Sequence, residues 1–499
     1  SAPTLNQDVF KKRLKQLYAF WDNDTDGLGS VDSFFVLVGR DPNAKPYSKS
    51  NAFQIWLYTG HLEDTLAVAT RDKFTILGSG KKANFFESVV GERGDGLPAI
   101  EVIHRNKANK DKDNFAQLIS MVESGGKETG SFIKDKFKNE FVDSWEAALA
   151  EAGVKKVDIS IPFMNLLAVK DSDEISLIKN ATNVSVNSWS HIKEMVLKLI
   201  DNETKKKMSD LAVKVDESMS DVEVQGNLAK KRNIENCYDT IMQSGGSYSF
   251  KWSTPTSDSR IHFGAITTSL GAKFENYCSN LGRTLLVQPS KELEEAYESV
   301  LAAELKLIEA LKPGTRLKDA YEVAVKALKP ELRDKLYKKD LGFLTGIEFR
   351  EAAFTISADS DAVVKAGMVF IVSIGVSPLG KVDSKKDTRE AAVLLSDTIL
   401  VSEDGPNEIL TEKATSRLRS NMVRIKENEE EEDTRRRSDN EENEEMERGK
   451  RSAVLSEQTR NKTTNEEKRK EHQKELAESL NEAAKKRLAE KTGSEEQMR

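Results

Sequence analysis

Five histidines and two cysteines are the whole supply of imidazole and thiol in this 499-residue chain. Two cysteines, Cys237 and Cys278, imply no disulfide framework and favour a reducing compartment. His61 and His104 stand isolated, and a structural role is the default reading of each. No phosphate loop, Gly-rich dinucleotide fingerprint or Cys/His zinc spacing occurs. In DNDTDGLGSVDS, Asp22, Asp24, Asp26 and Gly27 take the first four diagnostic places of a calcium loop. The bidentate Glu required at its end is replaced by Ser33, and the following SFFVLVG reads as a strand, so a polar helix-to-strand loop is the reading. Chemistry therefore concentrates in His262–Thr284, HFGAITTSLGAKFENYCSNLGRT. The pattern of Ile266, Leu270, Phe274 and Tyr277 predicts two strands, with Gly271 supplying the bend.

The elements around this stretch predict an α/β protein. Residues 5–21 place Val9, Phe10, Leu14, Leu17, Tyr18 and Trp21 on one helical face. Phe34–Val38, Ile55–Tyr58, Leu66–Thr70, Phe74–Leu77 and Ile100–His104 read as strands; Asn84–Val90, Asn114–Glu123 and Glu140–Ala152 read as helices. This alternation predicts a first α/β layer domain over 1–171, closed by Val157–Ile161. A second unit over 172–420 opens with a helix capped by Ser172 or Asp173. Helices follow at 208–219 and 220–236, the latter opened by Ser220 and Glu223, then at 290–311 and 316–328. Strands are expected at 341–350, 367–376 and 391–401.

Composition narrows the function classes. The formal net charge of −7 argues against generic nucleic-acid binding by the whole chain and permits a basic partner. No apolar run approaches the ~20 residues of a membrane span, and the start of the sequence lacks the layout of a signal peptide. Residues 426–448 hold twelve acidic and five basic side chains and almost nothing apolar. Charge at that density stays solvated, so 421–464 is expected to be a disordered acidic linker. Its acidic run, Glu429, Glu430, Glu431, Glu432, Asp433, Glu441, Glu442, Glu444 and Glu445, is a candidate attractor for basic proteins, against the plainer reading of a solvated spacer. Residues 465–499 return to a charged helical connector in which Leu476, Leu480, Ala484 and Leu488 form a thin stripe, as expected of a piece of a longer protein.

The 262–284 stretch resembles the metal-binding hairpin of the creatinase/methionine-aminopeptidase family, whose fold is the pita bread. Gly271, Ala272, Tyr277, Ser279, Arg283 and Thr284 fit its pattern, and His262 matches the histidine before its first strand. The resemblance continues through Gly342–Glu351, Gly367–Gly375 and Leu395–Val401, covers roughly 1–420 and is strongest from 240 to 401. The family holds two divalent metals with two Asp, one His and two Glu, which lower the pKa of a bridging water and polarise the scissile carbonyl. The matching positions here are Ser269, Asn280, Phe343, Ser373 and Ser396, so the resemblance implies a metal site without its ligands. Asp397 should face away from Ser396 along its strand, and Glu275 and Glu351 are out of place as substitutes. Arg350 takes the place of a substrate-side histidine; with His262 it is a candidate lining of a retained peptide cleft.

Among families with this fold and a lost site, the chain is similar to the large subunits of the FACT histone chaperone. The tail carries part of that resemblance, in Lys468–Ala477 and Leu480–Leu488. The resemblance implies an N-terminal aminopeptidase-P-like lobe, an inactive pita-bread lobe and a charged linker. It implies a nuclear, chromatin-associated, non-catalytic protein that uses no cofactor and binds core histones during transcription, replication and repair. A domain beyond residue 499 would pair with the smaller, HMG-box-bearing subunit. Neither membrane association nor direct sequence-specific DNA binding is expected. Two alternatives stand beside this reading: a scaffold recruiting replication or transcription factors, and a divergent metallopeptidase, which the missing carboxylates oppose.

Overall fold

The computed structural model describes residues 4–40, 47–230, 233–337, 340–381 and 389–424, with scattered positions from 467 to 478. The acidic run lies outside the described residues, as do Leu476, Leu480, Ala484 and Leu488 of the tail stripe.

α1 (Gln7–Asn23) is capped by the Asn6 side chain and buries Phe10, Leu14, Leu17 and Trp21, the face expected from its spacing. In the loop after it, Asp24 accepts from the Leu28 N–H at 2.8 Å, turning the calcium-like spacing into a local turn. β1 (Ser33–Val38) leads to α2 (Lys49–Tyr58). This corrects the strand expected at Ile55–Tyr58. The Ser48 side chain caps the helix by accepting from the Asn51 N–H, and Phe53, Trp56 and Leu57 are buried. A short apolar run cannot by itself separate strand from buried helix.

β2 (Thr65–Thr70), β3 (Lys73–Gly78), α3 (Lys81–Asn84) and β4 (Ala99–His104) follow; the helix expected over 84–90 is broken after α3 into a 3₁₀ turn at Glu87–Val89. α4 (Lys112–Glu123), β5 (Glu128–Ser131), α5 (Glu140–Glu151), β6 (Lys155–Asp158) and α6 (Ser160–Ala168) complete the first layer. Its six strands run in the order β4-β3-β2-β1-β5-β6. β1, β5 and β6 are parallel neighbours, and β1-β2-β3 are antiparallel. Side chains alternate across β1. Phe34 and Val36 pack with α1, α2 and α6, whereas Phe35 and Leu37 pack with α4 and α5.

α7 (Ser172–Asp201) opens the second half. Its cap is Asp171 rather than Ser172 or Asp173: Asp171 accepts from the Glu174 N–H while Glu174 accepts from the Asp171 N–H, a reciprocal capping box. α8 (Met208–Ser218) is as expected. The long helix expected over 220–236 is instead one turn, α9 (Val222–Gln225), capped by Asp221 and ended at Gly226, which sits at φ +58. β7 (Ile234–Asn236) and β8 (Ile241–Gln243) follow.

The 262–284 stretch is also corrected. It forms four strands, β9 (Ala265–Leu270), β10 (Ala272–Phe274), β11 (Tyr277–Cys278) and β12 (Leu281–Val287). β9 pairs with β12, while β10 and β11 make their own tight hairpin through Glu275 and Asn276, both at positive φ. Gly271 is needed for space: a Cβ there would lie 2.6 Å from the Ser279 carbonyl oxygen. α10 (Lys291–Ala310), α11 (Leu317–Ala327) and α12 (Pro330–Arg333) come next. The single strand expected at 341–350 is β13 (Asp340–Leu344), a turn, and β14 (Glu351–Ser357). β15 (Val369–Lys381), β16 (Glu390–Leu400), β17 (Glu408–Ile409) and β18 (Met422–Val423) finish the order.

The larger sheet runs β14-β13-β15-β16-β12-β9-β8, with β17 beside β16 and β18 beside β12. α10 and α11 bury Tyr297, Val300, Leu307 and Ala320 against Val372, Ile374, Val393 and Leu395 of this sheet. α7 and α8 bury Trp189, Ile192, Val196 and Leu211 against Ile266, Leu270, Leu281 and Leu285. Among the described residues, no helix is long and apolar enough to cross a membrane.

Candidate functional site

The larger sheet brings the five expected positions into one neighbourhood. Ser269 is on β9, Asn280 just precedes β12, Phe343 is on β13, and Ser373 and Ser396 face each other across β15 and β16. Gly282 pairs with both Ser269 and Ser396. A Cβ there would approach the Ser396 Cβ to 2.8 Å, so the close approach of these strands requires glycine.

Polar groups in this neighbourhood satisfy one another. The Asn280 amide donates to Ser396 Oγ at 2.7 Å, and Ser396 Oγ donates to the Val372 carbonyl at 2.8 Å. The Tyr238 hydroxyl lies 2.7 Å from Ser269 Oγ and donates to Asn280 Oδ1. The Asn280 N–H donates to Thr398 Oγ1 at 2.9 Å, and that hydroxyl donates back to the Asn280 carbonyl at 2.8 Å. Burial holds the Tyr238 phenol well above its ordinary range, so it remains a donor. Ser269, Asn280 and Ser396 are themselves buried.

Aromatic rings close the other side. Phe343 is fully buried, with Trp252 at 5.7 Å and Phe349 at 5.3 Å between centroids. Trp252 and Phe349 in turn pack on Tyr238 at 5.4 and 5.1 Å. A narrow slot beside Ser269 and Ser373 is walled by Phe250, Trp252 and Leu394. The Arg350 guanidinium lies 5.2 Å over the Phe343 ring and 3.5 Å from Asp340, so it joins this cluster. His262 is not brought into the slot; its N–H donates to Ser244 Oγ at 2.9 Å, and its β-carbon packs against Gly245.

This donor set does not fit a pair of divalent cations. Hydroxyls and one amide supply no negative charge, and Ser269, Asn280 and Ser396 already have partners within the cluster, whereas hard dications require carboxylates. Among the described residues, no three of His, Cys, Asp or Glu converge as metal ligands.

Carboxylates do lie near, on other faces. Asp397 points away from Ser396, as strand alternation requires, and accepts from Arg283 at 2.6 Å and from the Thr411 hydroxyl. Glu304 on α10 sits with them; burial and then Asp397 push its carboxyl well above the usual range. Glu351 is buried 3.7 Å from Lys170, and burial, opposed by Lys170, lifts it to about 7. Glu275 is in the β10–β11 turn. Tyr47 reaches across from the first layer and donates to the Cys237 carbonyl at 3.0 Å, beside the Cys278 thiol.

The residues that sequence reasoning missed are Tyr238, Trp252 and Phe349. Tyr238 lies 31 residues before Ser269, and no spacing links the two; a buried tyrosine hydroxyl needs a partner, but the sequence does not name it. Phe349 was within reach, because it lies in the same Gly342–Glu351 motif as Phe343.

Residues 5–162 match the FACT complex subunit SPT16 N-terminal lobe domain, and residues 177–403 match metallopeptidase family M24. The FACT complex subunit spt-16 of Caenorhabditis elegans is 45% identical over 496 residues, covering 98% of this chain and 48% of the relative. The chain thus spans about half the length of the curated relatives it matches. The N-terminal domain of FACT complex subunit SPT16 from Cicer arietinum is 28% identical at a TM-score of 0.77, covering 84% of this chain and 100% of that one. The Xaa-Pro dipeptidase from Bacillus anthracis, 18% identical at a TM-score of 0.60 over 81% of this chain and 98% of that one, shares the fold. The curated relatives are FACT subunits rather than peptidases, and the expected two-lobe α/β class with a pita-bread second lobe holds.

Proposed function

This chain belongs with the N-terminal regions of the FACT large subunits, and we propose from that premise that it is a non-catalytic, histone-binding module of a chromatin chaperone. The observation that carries the non-catalytic part is the closed set Tyr238, Ser269, Asn280 and Ser396, packed against Phe343. Its groups are neutral and mutually bonded, and Phe343 fills the volume a metal-bound water needs. In this reading Ser269, Asn280, Phe343, Ser373 and Ser396 stand where the metal ligands of active relatives stand. The lobes divide near residue 171. The protein is nuclear and acts on chromatin in transcription, replication and repair; the smaller HMG-box subunit pairs with a domain beyond residue 499.

Histone attraction has two components in this proposal. The acidic run at 427–447 attracts basic proteins by long-range Coulomb forces, screened over ~8 Å at physiological salt. The folded lobes make shorter-ranged contacts that survive higher salt. Titrating core histones against the full chain and against a chain ended after Asn421, at low and high salt, tests this. Truncation should remove the salt-sensitive part and leave the rest. No histone binding by the truncated chain at any salt would favour the scaffold reading, with replication or transcription factors as the lobes' partners.

A further inference from the structure

The parallel neighbours β1 and β5 send their chains to opposite faces of the six-stranded sheet. The chain after β1 reaches α2, which packs with α1 and α6; the chain after β5 reaches α5, which packs with α4. Where the connections of adjacent parallel strands part in this way, a crevice opens outside their carboxyl ends, and open α/β sheets bind ligands there. This sheet has such a crevice, a cavity of about 210 Å³.

The crevice has an apolar floor and an acidic rim. Phe35, Leu37, Phe132 and Val142 line it and are buried. Gly39 lets the end of β1 come close; a Cβ there would lie 2.5 Å from Val142 Cγ2 and 2.7 Å from Phe137 Cβ. Three carboxylates and two ammonium groups stand around it: Asp135, Asp143, Glu146, Lys136 and Lys156. Asp135 is engaged in capping α2, accepting from the Ser50 N–H at 2.7 Å and its hydroxyl at 2.6 Å. Glu146 pairs with Lys156 at 2.6 Å. Asp143 is exposed, lines the crevice and forms no ion pair among the described residues.

The volume falls below the ~300 Å³ at which small-molecule sites begin, so it suits a single side chain. An apolar floor under a carboxylate that forms no ion pair among the described residues matches a side chain with an aliphatic stem and a cationic head. Phosphate ligands are disfavoured by the excess of carboxylates. We propose that this crevice anchors one lysine or arginine side chain of a partner peptide, its stem on Phe35, Leu37 and Val142 and its cation at Asp143. The proposal deepens the histone-binding reading and rests on it for the partner's class.

Simple probes test the anchor apart from that reading. Acetylated, amidated pentapeptides of alanine with a central lysine, norleucine or glutamate are titrated into the methyl-labelled full chain and followed by NMR. The lysine peptide should saturably shift the Leu37, Ile133 and Val142 methyl signals. The norleucine peptide should bind about tenfold more weakly, the scale of one lost charge-assisted contact, and the glutamate peptide more weakly still. Asp143→Asn should bring the lysine peptide down to the norleucine level while the free chain's methyl spectrum is retained; Asp143→Glu should restore the preference. Equal affinity for lysine and norleucine peptides, shifts confined to other methyls, or unchanged binding by Asp143→Asn would overturn the anchor. Anchoring of the lysine peptide by a chain that fails to hold core histones would leave the anchor standing and overturn the histone reading alone.

Discussion

The two larger sheets each have a hollow beside their strands, and the chain treats the two places in opposite ways. On the larger sheet the hollow is occupied by the protein's own groups: Phe343 and Trp252 fill it, and Tyr238 ties Ser269 to Asn280. On the six-stranded sheet the crevice at the ends of β1 and β5 is open among the described residues, with Asp143 exposed at its rim. On the proposed reading, the difference illustrates how a reactive site becomes a structural one. Once charged ligands become neutral partners of each other, the site can be packed like any core, and it contributes stability instead of chemistry. On the proposed reading the crevice instead keeps an exposed carboxylate at its rim, whose charge water solvates, so it is free to serve recognition at little cost to the fold.

The comparison breaks most readily at Phe343. Truncation to alanine removes a fully buried ring with two aromatic neighbours and should destabilise the fold by ~3–5 kcal/mol, read from the denaturant midpoint. A loss below 1 kcal/mol, on the scale of a surface substitution, would mean that the hollow is not packed.

A second test uses pH. Burial holds Glu351 at about 7, above its ordinary 4.5, so the folded chain binds this proton more tightly than the unfolded one. Its contribution to stability is complete below pH 4.5 and is lost as the pH rises through 7. On ~1.4 kcal/mol per pH unit the loss is on the order of 3 kcal/mol. Glu351→Gln should flatten the stability profile across that window; an unchanged slope would place the titration elsewhere.

Tyr238→Phe removes one hydroxyl and leaves Ser269 and Asn280 short of a partner, at an expected ~1–3 kcal/mol. A neutral result would show that the polar cluster is satisfied without it. Asp143→Asn should change stability by less than ~0.5 kcal/mol, since the residue is exposed and forms no ion pair among the described residues. A larger loss would make the crevice rim structural and remove the contrast between the two sheets.

How much of this the sequence disclosed depends on range. Strand alternation and ordered motifs singled out Ser269, Asn280, Phe343, Ser373 and Ser396, and the sheet brings them into one neighbourhood because each sits at a fixed step in a regular strand or beside one. The orientation of Asp397 followed from the same alternation. Short-range ambiguity hid the helix at Lys49–Tyr58, whose apolar run fits either period. Gly226 ended the helix at 220–236 early, since a left-handed residue stops it. The partners of the site came from long range: Tyr238 and Trp252 reach it only because the sheet closes over them. The crevice was not legible, because it depends on which faces the connections after β1 and β5 take.

Metal content is the sharpest test of whether the hollow on the larger sheet is closed to cations. The chain is purified without chelator, equilibrated with Mn²⁺ or Co²⁺, passed through a desalting column, and measured by elemental analysis alongside hydrolysis of an Xaa-Pro dipeptide. No stoichiometric divalent metal and no hydrolysis are expected, because Ser269, Asn280 and Ser396 are neutral and already bonded within the cluster. About two divalent ions retained per chain, with hydrolysis that a chelator abolishes, would contradict this expectation.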